Sequence, residues 1–222
     1  MGDGSGGRRR KLDPDPRVRI EILSAASKLV REEGVRALGI AEVLSRTQLS
    51  TRAFYRHFDS KDQLVSAVFF EMARVESLRV RRAMAAESDP IRAVMAWIDG
   101  RLDLVFNPDI RSDLRRLSVE AQSQTFGAPD LVNAAYGEIL RPLTEELEHG
   151  RALGLFPGVD PGVDALSVHG VVWANVERHW ADDGSSPSNL RERTQRFCLG
   201  GLGVDQDTIA EVLKEIREPG LK

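Results

Sequence analysis

The sequence contains a single cysteine, Cys198, among its 222 residues. One cysteine excludes an intrachain disulfide and suits the reducing environment of the cytoplasm. The apolar runs fall short of the roughly 18 residues that mark a membrane-spanning helix, and the glycine- and arginine-rich start has no apolar segment typical of a signal peptide. These features predict a soluble, cytoplasmic protein.

Residue patterns that would indicate catalysis or metal binding are also scarce. No G-x-S-x-G nucleophile motif occurs, and the glycine-rich stretch 200–203 follows a predicted helix, where it terminates the helix and does not form a phosphate loop. The histidines show no metal-ligand spacing with one another or with the cysteine: His57, His149, His169 and His179. The sequence therefore predicts no catalytic residue, no metal site and no cofactor.

The net charge of −3 is unevenly distributed along the chain. Residues 1–65 hold 13 Lys+Arg against 9 Asp+Glu, a net charge of +4, whereas residues 66–222 hold 18 against 25, a net charge of −7. A basic region attracts phosphate, and an acidic region is repelled by it. This division predicts that any contact with nucleic acid lies in the first third of the chain.

Helix signals recur along the whole sequence, and no stretch shows sustained strand alternation. Three Asp-Pro pairs, at positions 15–16, 89–90 and 160–161, predict helix starts. Pro142 is expected to kink or divide its helix. We predict an all-α fold with helices at about 16–33, 40–46, 50–58, 60–86, 90–106, 110–124, 129–149, 161–182, 188–200 and 206–217.

The segment 40–64 has the spacing of a helix-turn-helix. A short amphipathic helix over 40–46 is followed by the three-residue connection 47–49 and by Ser50, which can cap a second helix. Phe54 and Phe58, four residues apart, give that second helix one buried stripe. Ser60 and Gln63 form a capping box that starts the next helix. The second helix is therefore predicted to present its remaining side chains to DNA.

Residues 17–68 resemble the TetR family of bacterial transcriptional regulators. The resemblance is carried by Ile22-Leu23-Ser24-Ala25-Ala26, Glu33-Gly34-Val35, Leu49-Ser50, Phe54-Tyr55-Arg56-His57-Phe58 and Ser60-Lys61-Asp62-Gln63-Leu64. The chain departs from the family pattern at Gly39, at Thr47 and at Gln48, which stands where a turn glycine is usual. Gln48 therefore requires either a positive φ or a different turn.

The resemblance implies a helix-turn-helix domain over residues 15–62 and a ligand-binding and dimerisation domain over residues 63–222. Residues 1–14 are expected to be a disordered basic arm. Arg52 is the best candidate for reading a base, because its fork matches guanine O6 and N7. The complete set of candidate DNA contacts is Arg46, Ser50, Thr51, Arg52, Tyr55, Arg56, His57 and Lys61.

The resemblance also places a small-molecule site in the second domain. Aromatic side chains with a few polar groups can line such a cavity, or they can simply fill a core. The candidate ligand-binding residues are Trp97, Arg101, Phe106, Glu120, Phe126, Tyr136 and Trp173, with His169 also near in sequence. In the family, the two late helices form a four-helix bundle between two copies, which predicts interface residues Val168, Val172, Val176, Arg193 and Phe197.

These features predict a ligand-responsive repressor that binds a palindromic operator as a homodimer, with an unknown small-molecule effector. An activator or a ligand-independent DNA-binding regulator is the alternative within regulation. A cytoplasmic helical enzyme would need a cluster of acids, bases or metal ligands, which the sequence does not show. An architectural DNA protein would not need a second, acidic domain of this size.

Overall fold

The computed structural model describes residues 15–106, 129–181 and 187–217, and within these ranges all regular structure is helical. The predicted all-α class is confirmed. The helix predicted at about 110–124 lies outside the described residues. The helices are α1 Pro16–Glu33, α2 Ile40–Thr47, α3 Thr51–Phe54, α4 Lys61–Met84, α5 Pro90–Phe106, α6 Pro129–Ala152, α7 Pro161–Ala181, α8 Pro187–Gly201 and α9 Gln206–Arg217.

Side-chain caps explain where several of these helices begin. Three aspartates each accept hydrogen bonds from backbone N–H groups two or three residues further on, at 2.9–3.2 Å: Asp15, Asp89 and Asp160. Each is followed by the proline predicted to occupy the first helical turn. Pro142, which was expected to kink or divide its helix, lies inside α6 and does not divide it.

The chain separates into two compact units, residues 1–68 and 69–222, here called the head and the body. The division falls within α4, a few residues after the boundary predicted from the sequence. The head has its own apolar core, in which Ile22, Leu29, Val43, Phe54 and Phe58 are at most 1% exposed. Gly34 ends α1 with a φ of 87°, a conformation that favours glycine.

The body is organised around α5, which packs against α6, α7 and α8. Trp97, Ile98 and Leu102 of α5 are completely buried. Helix α7 also contacts α6 and α8, and α9 packs on α8. A helix with neighbours on several sides must be apolar on several faces, which explains why α5 and α7 show little amphipathic contrast in the sequence.

The same arrangement corrects part of the predicted dimer surface. Val168, Val172 and Val176 are 4%, 1% and 0% exposed in the single chain, where they belong to the body core. They fill the interior of one copy, which differs from the interface role predicted for them. An apolar stripe that faces a core and one that faces a partner look alike in sequence.

Candidate nucleic-acid interface and buried ligand site

Of the two alternatives that the sequence left open at Gln48, the turn between α2 and α3 adopts the positive φ. Gln48 has a φ of 56° and a ψ of 20°, and it is the one non-glycine residue with positive φ in the described part of the chain. Left-handed backbone is strained for most side chains and routine for glycine. The turn geometry is thus retained without the usual glycine.

Helix α3 is held by one cap and by two buried aromatic rings. Ser50 Oγ accepts a hydrogen bond from the backbone N–H of Ala53 at 3.2 Å, as predicted for an N-cap. Phe54 and Phe58 are buried with ring centroids 5.7 Å apart, so the predicted stripe is confirmed. The regular helix ends at Phe54, and residues 55–57 continue as a turn.

Most of the predicted DNA contacts lie on the exposed side of this short segment. Thr51, Arg52, Tyr55 and Arg56 are exposed, as is Lys61 at the start of α4, and His57 is half-buried. Among the described residues, the positively charged groups of Arg52, Arg56 and Lys61 form no ion pair. Their charges therefore remain available to phosphates or base edges.

Arg46 is placed differently from the other predicted contacts. Its guanidinium pairs with Glu32 and Glu33 at the end of α1 and with Glu42 in α2. These pairs raise the pKa of Arg46, the hydrogen bond to Glu32 contributing most. The side chain links α1 to α2, and three carboxylates compensate its charge.

The capping box that follows α3 differs in one detail from its prediction. Ser60 Oγ accepts from the backbone N–H of Gln63 at 3.1 Å, as expected. The Gln63 side-chain oxygen accepts from the backbone N–H of Asp59 at 2.6 Å, whereas a standard box would engage Ser60. The glutamine side chain is long enough to accept from the residue before Ser60. The two hydrogen bonds together link the turn after α3 to the first turn of α4.

In the body, five of the seven predicted ligand-binding residues are described. Trp97 and Arg101 are buried on α5, and Phe106 at the end of that helix is half-buried. Tyr136 on α6 and Trp173 on α7 are also half-buried. The other two predicted positions, Glu120 and Phe126, lie outside the described residues.

Four of the rings near these helices form one group, here called the aromatic cluster: Trp97, Tyr136, His169 and Trp173. His169 lies at the centre of the cluster, with ring centroids 5.1 Å from Tyr136 and 6.3 Å from Trp97 and from Trp173. Trp97 Nε1 donates to the carbonyl of Ile139 at 3.4 Å. Trp173 Nε1 donates to Glu177 at 2.8 Å.

His169 is 6% exposed, and its Nδ1 has no hydrogen-bond partner in the structure. Burial, with a smaller contribution from the charge of Arg101, lowers the pKa of His169 to about 3. The imidazole is therefore neutral at ordinary pH, with one nitrogen able to donate and one able to accept. The sequence pointed to His169 only as a polar group near the predicted pocket.

Arg101 is the second buried polar residue with an unpartnered atom. It is 4% exposed, and its Nη1 donates to Glu76 Oε1 at 2.8 Å, while its Nε has no partner. Burial lowers the pKa of Arg101, and Glu76 opposes that effect. Leaving a buried donor unsatisfied costs about 1–3 kcal/mol. Arg101 Nε and His169 Nδ1 are therefore candidate contacts for a polar group of a ligand.

Glu76 also belongs to this site, although sequence reasoning did not single it out. Burial would raise the pKa of its carboxyl, but hydrogen bonds and charges from Arg79 and Arg101 outweigh burial and hold the pKa below its ordinary value. Phe69, Ala73 and Val80 are its buried neighbours at helical spacing on α4. A carboxylate inside an apolar stripe was the sequence signal that could have identified it.

Glu76 and Arg101 begin a series of ion pairs, here called the ion-pair chain, which joins α4, α5 and α8. Its members are Arg101, Glu76, Arg79, Asp103, Arg191 and Asp99, each within 4.0 Å of the next. Asp99 also accepts from Gln195 at 2.8 Å. Burial raises the pKa of Asp99 despite the opposing charge of Arg191.

The other two predicted interface residues lie on the outside of α8. Arg193 is exposed and Phe197 is 67% exposed. Helix α7 also has exposed apolar side chains at Val163 and Leu166, and Gly170 is exposed with open space beside it. Val163, Leu166 and Phe197, and not the three valines, are therefore the large apolar side chains that α7 and α8 expose among the described residues.

Other functional chemistry finds little support in the described part of the chain. No group of three or more His, Cys, Asp or Glu side chains within it could hold a metal ion. Cys198 is buried, and burial raises the pKa of its thiol to about 12, so the thiolate population is very small. Within the same residues, every helix is too short or too polar to cross a membrane.

Comparison with known proteins agrees with this geometry. Residues 22–68, which contain the turn and α3, match the family described as bacterial regulatory proteins, tetR family. The chain is 27% identical over 213 residues to the HTH-type transcriptional activator FasR of Mycolicibacterium smegmatis, covering 89% of each protein.

Solved structures share the fold over most of its length. One is a transcriptional regulator of Saccharomonospora viridis in complex with choline, with a TM-score of 0.62, 18% identity and coverage of 82% of this chain and 96% of that one. Another is FadR of Bacillus subtilis in complex with stearoyl-CoA, with a TM-score of 0.63, 15% identity and coverage of 82% and 98%. Residues 22–68 are therefore similar to the tetR family of bacterial regulatory proteins, and the chain shares its fold with solved regulators.

Proposed function

We propose that this DNA-binding regulator represses transcription as a homodimer on a palindromic operator and releases the operator when a small molecule binds in the body. The observation that carries the proposal is the exposed basic group on and beside α3. Arg52, Arg56 and Lys61 are exposed within or next to the region that matches the family. Arg52 would read a base, and Lys61 would contact phosphate.

A palindromic operator requires two heads, and the outer surface of α7 and α8 supports pairing of two copies. Val163, Leu166 and Phe197 are 61%, 58% and 67% exposed, which is unusual for large apolar side chains. Gly170 and Ala174 are exposed on α7, and their small size would let a second helix approach closely. A dimer built there would present two recognition helices to successive major grooves about 34–36 Å apart.

The buried polar atoms of the body support the ligand-responsive part of the proposal. Arg101 and His169 each have an unpartnered nitrogen beside aromatic rings, an arrangement typical of a small-molecule site. The structural neighbours hold ligands as different as choline and stearoyl-CoA. The fold is thus compatible with many effectors, and the identity of the effector depends on the side chains of this chain.

Titration of the protein with operator and with scrambled DNA tests the proposal. The operator can be sought by footprinting upstream of the protein's own gene. Arg52→Ala is expected to weaken operator binding by about 1–3 kcal/mol and to relax preference at one base position. Lys61→Ala is expected to weaken both DNAs alike. Unchanged operator affinity in Arg52→Ala would remove the base-reading role.

A compound screen tests the ligand-responsive part of the proposal. An effector should raise the melting temperature by mass action and release operator DNA over the same concentration range. Compounds that stabilise the protein without altering operator affinity would leave a ligand-independent regulator as the better account.

Activation is the second candidate function, because the relative in Mycolicibacterium smegmatis carries the name of a transcriptional activator. A reporter gene placed behind the footprinted promoter distinguishes the two. Deleting the regulator should raise reporter expression if it represses and lower it if it activates. In either case, sedimentation of the wild type at micromolar concentration should show a dimer, and a monomer would exclude the paired recognition of a palindrome.

A further inference from the structure

Arg101 is the buried guanidinium at one end of the ion-pair chain, in which three arginines alternate with three carboxylates. Its carboxylate partner, Glu76, is shared with Arg79, which donates to both Glu76 oxygens, at 2.7 and 2.9 Å. Asp103 lies 3.8 Å from Arg79 but hydrogen-bonds to Arg191. Two guanidinium groups thus share the Glu76 carboxylate, and an anion beside Arg101 would give this guanidinium a second charged acceptor.

The unpartnered atoms show where such an anion would bind. Arg101 Nε and His169 Nδ1 are both buried and without partners, on the packed helices α5 and α7. Arg101 follows Trp97 by one helical turn on α5, and the Trp97 ring centroid lies 6.3 Å from that of His169, so the two groups are near each other where α5 and α7 pack. A neutral imidazole can carry its proton on Nδ1, and both atoms could then donate to one acceptor.

The rings around His169 determine the rest of the ligand's chemistry. The indole nitrogens of Trp97 and Trp173 are already engaged with Ile139 and Glu177, so these residues offer mainly apolar surface. Tyr136 contributes a third ring, and burial raises the pKa of its hydroxyl. Glu177, eight residues after His169 on α7, would repel an anion at its own end of the cluster, which favours the Arg101 end.

We infer that the effector is an organic acid with an apolar body, whose carboxylate accepts hydrogen bonds from Arg101 Nε and His169 Nδ1. This inference rests on the ligand-gated function proposed above and names the chemical class of its effector. A quaternary ammonium compound, which aromatic rings can also bind, is disfavoured because it would meet the buried guanidinium of Arg101.

The test compares acids with their uncharged counterparts. Benzoate, naphthoate, octanoate and decanoate are each titrated beside the matching carboxamide, with tetramethylammonium chloride as the cationic control. Melting temperature and tryptophan fluorescence at neutral pH report binding. At least one acid should raise the melting temperature, and its carboxamide should bind about 30-fold more weakly or worse, because it lacks the charge that pairs with a buried guanidinium.

Two variants connect the preference to the named atoms. The double variant Glu76→Gln with Arg101→Met removes the guanidinium without leaving its carboxylate partner buried and charged, and it should lose the preference for acid. His169→Phe keeps a ring in the cluster but removes Nδ1, and it should weaken binding of the acid more than binding of the carboxamide. If the double variant does not fold, Arg101→Lys takes its place. It should weaken binding of the acid, because lysine lacks the forked donor geometry of the guanidinium.

The inference is overturned if none of the acids binds, if acids and carboxamides bind equally well, or if tetramethylammonium binds in their place. It is also overturned if the double variant keeps the preference for acid, or if its substitute Arg101→Lys binds the acid as tightly as the wild type does. Operator titration in the same samples separates this inference from the proposed function. Release of the operator by an uncharged compound would retain ligand gating and exclude the acid. An acid that binds through Arg101 without affecting operator affinity would exclude gating at this site.

Discussion

In the head, the arginines on and after α3 are exposed, and most side-chain hydrogen bonds that shape this region join residues two to four positions apart. In the body, the members of the ion-pair chain are partly or fully buried, and several polar pairs there join residues far apart in sequence. Arg101 pairs with Glu76 over 25 residues, and Gln195 with Asp99 over 96 residues. The placement of the exposed side chains of the head thus depends on local sequence signals. The placement of the buried polar side chains of the body depends on which helices pack together.

The largest expected effect comes from breaking the body's buried ion pairs. Glu76→Ala leaves Arg101 without its carboxylate partner, and removing one member of a buried pair costs about 3–5 kcal/mol. Urea unfolding followed by tryptophan fluorescence measures this loss, because all three tryptophans lie in the body. The midpoint is expected to fall sharply.

The head offers a matched control for this substitution. Glu42→Ala also removes a carboxylate from an arginine, Arg46, but at an exposed site with two further carboxylates. The head holds no tryptophan, so helix circular dichroism follows the unfolding of both variants, and its midpoint should stay nearly unchanged in Glu42→Ala. Equal losses in the two variants would show that the head and the body do not differ in how they use their ion pairs.

A smaller effect is expected from the titration of His169. The folded pKa of about 3 lies below the ordinary value of 6.5, so the unfolded chain takes up a proton that the folded body excludes. The stabilisation is complete above the unfolded pKa and is lost as the pH falls toward the folded one. Between pH 7.5 and pH 5, this histidine alone should reduce the free energy of unfolding by about 2 kcal/mol.

His169→Phe isolates this contribution because every other titrating group remains. Urea unfolding is measured for wild type and variant across this pH range. As the pH falls from 7.5 to 5, the free energy of unfolding should decrease by about 2 kcal/mol more in the wild type than in the variant. Parallel curves would mean that His169 takes up its proton in the folded state as readily as in the unfolded chain.

The smallest effect concerns the cap of α3. Ser50→Ala removes the hydroxyl acceptor for the Ala53 N–H and keeps the Ser50 carbonyl, which accepts from the same N–H at 2.9 Å; losing an N-cap costs about 1 kcal/mol. Hydrogen exchange at Ala53 should accelerate by about fivefold, while the tryptophan-detected midpoint of the body stays unchanged. Ser24→Ala, at an exposed position within α1, is the control and should leave this amide unaffected.

The helix boundaries were largely predictable because their causes lie within a few residues. Asp15, Asp89 and Asp160 cap helices as their position before proline predicted. The positive φ at Gln48 was one of the two alternatives left by a glutamine standing where a turn glycine is usual. In each case, the physical cause and the sequence signal occupy the same short segment.

The pairing partners in the body were not predictable in this way. Arg101 was identified as a candidate ligand-binding residue, but its partner Glu76 could be recognised only once α4 and α5 were packed together. Val172 was assigned to the surface between two copies, although it lies in the core. Sequence periodicity shows that a face is apolar, and only the packing shows what covers it.

The ion-pair chain restricts how α5 can move. Arg101 of α5 pairs with α4, while Asp99 and Asp103 of the same helix pair with Arg191 of α8. Rotation of α5 about its own axis would therefore stretch contacts on both of its sides at once. A displacement that carries α4, α5 and α8 together leaves every pair intact. A molecule bound beside Arg101 would thus shift three helices as a group more easily than it could turn one of them alone.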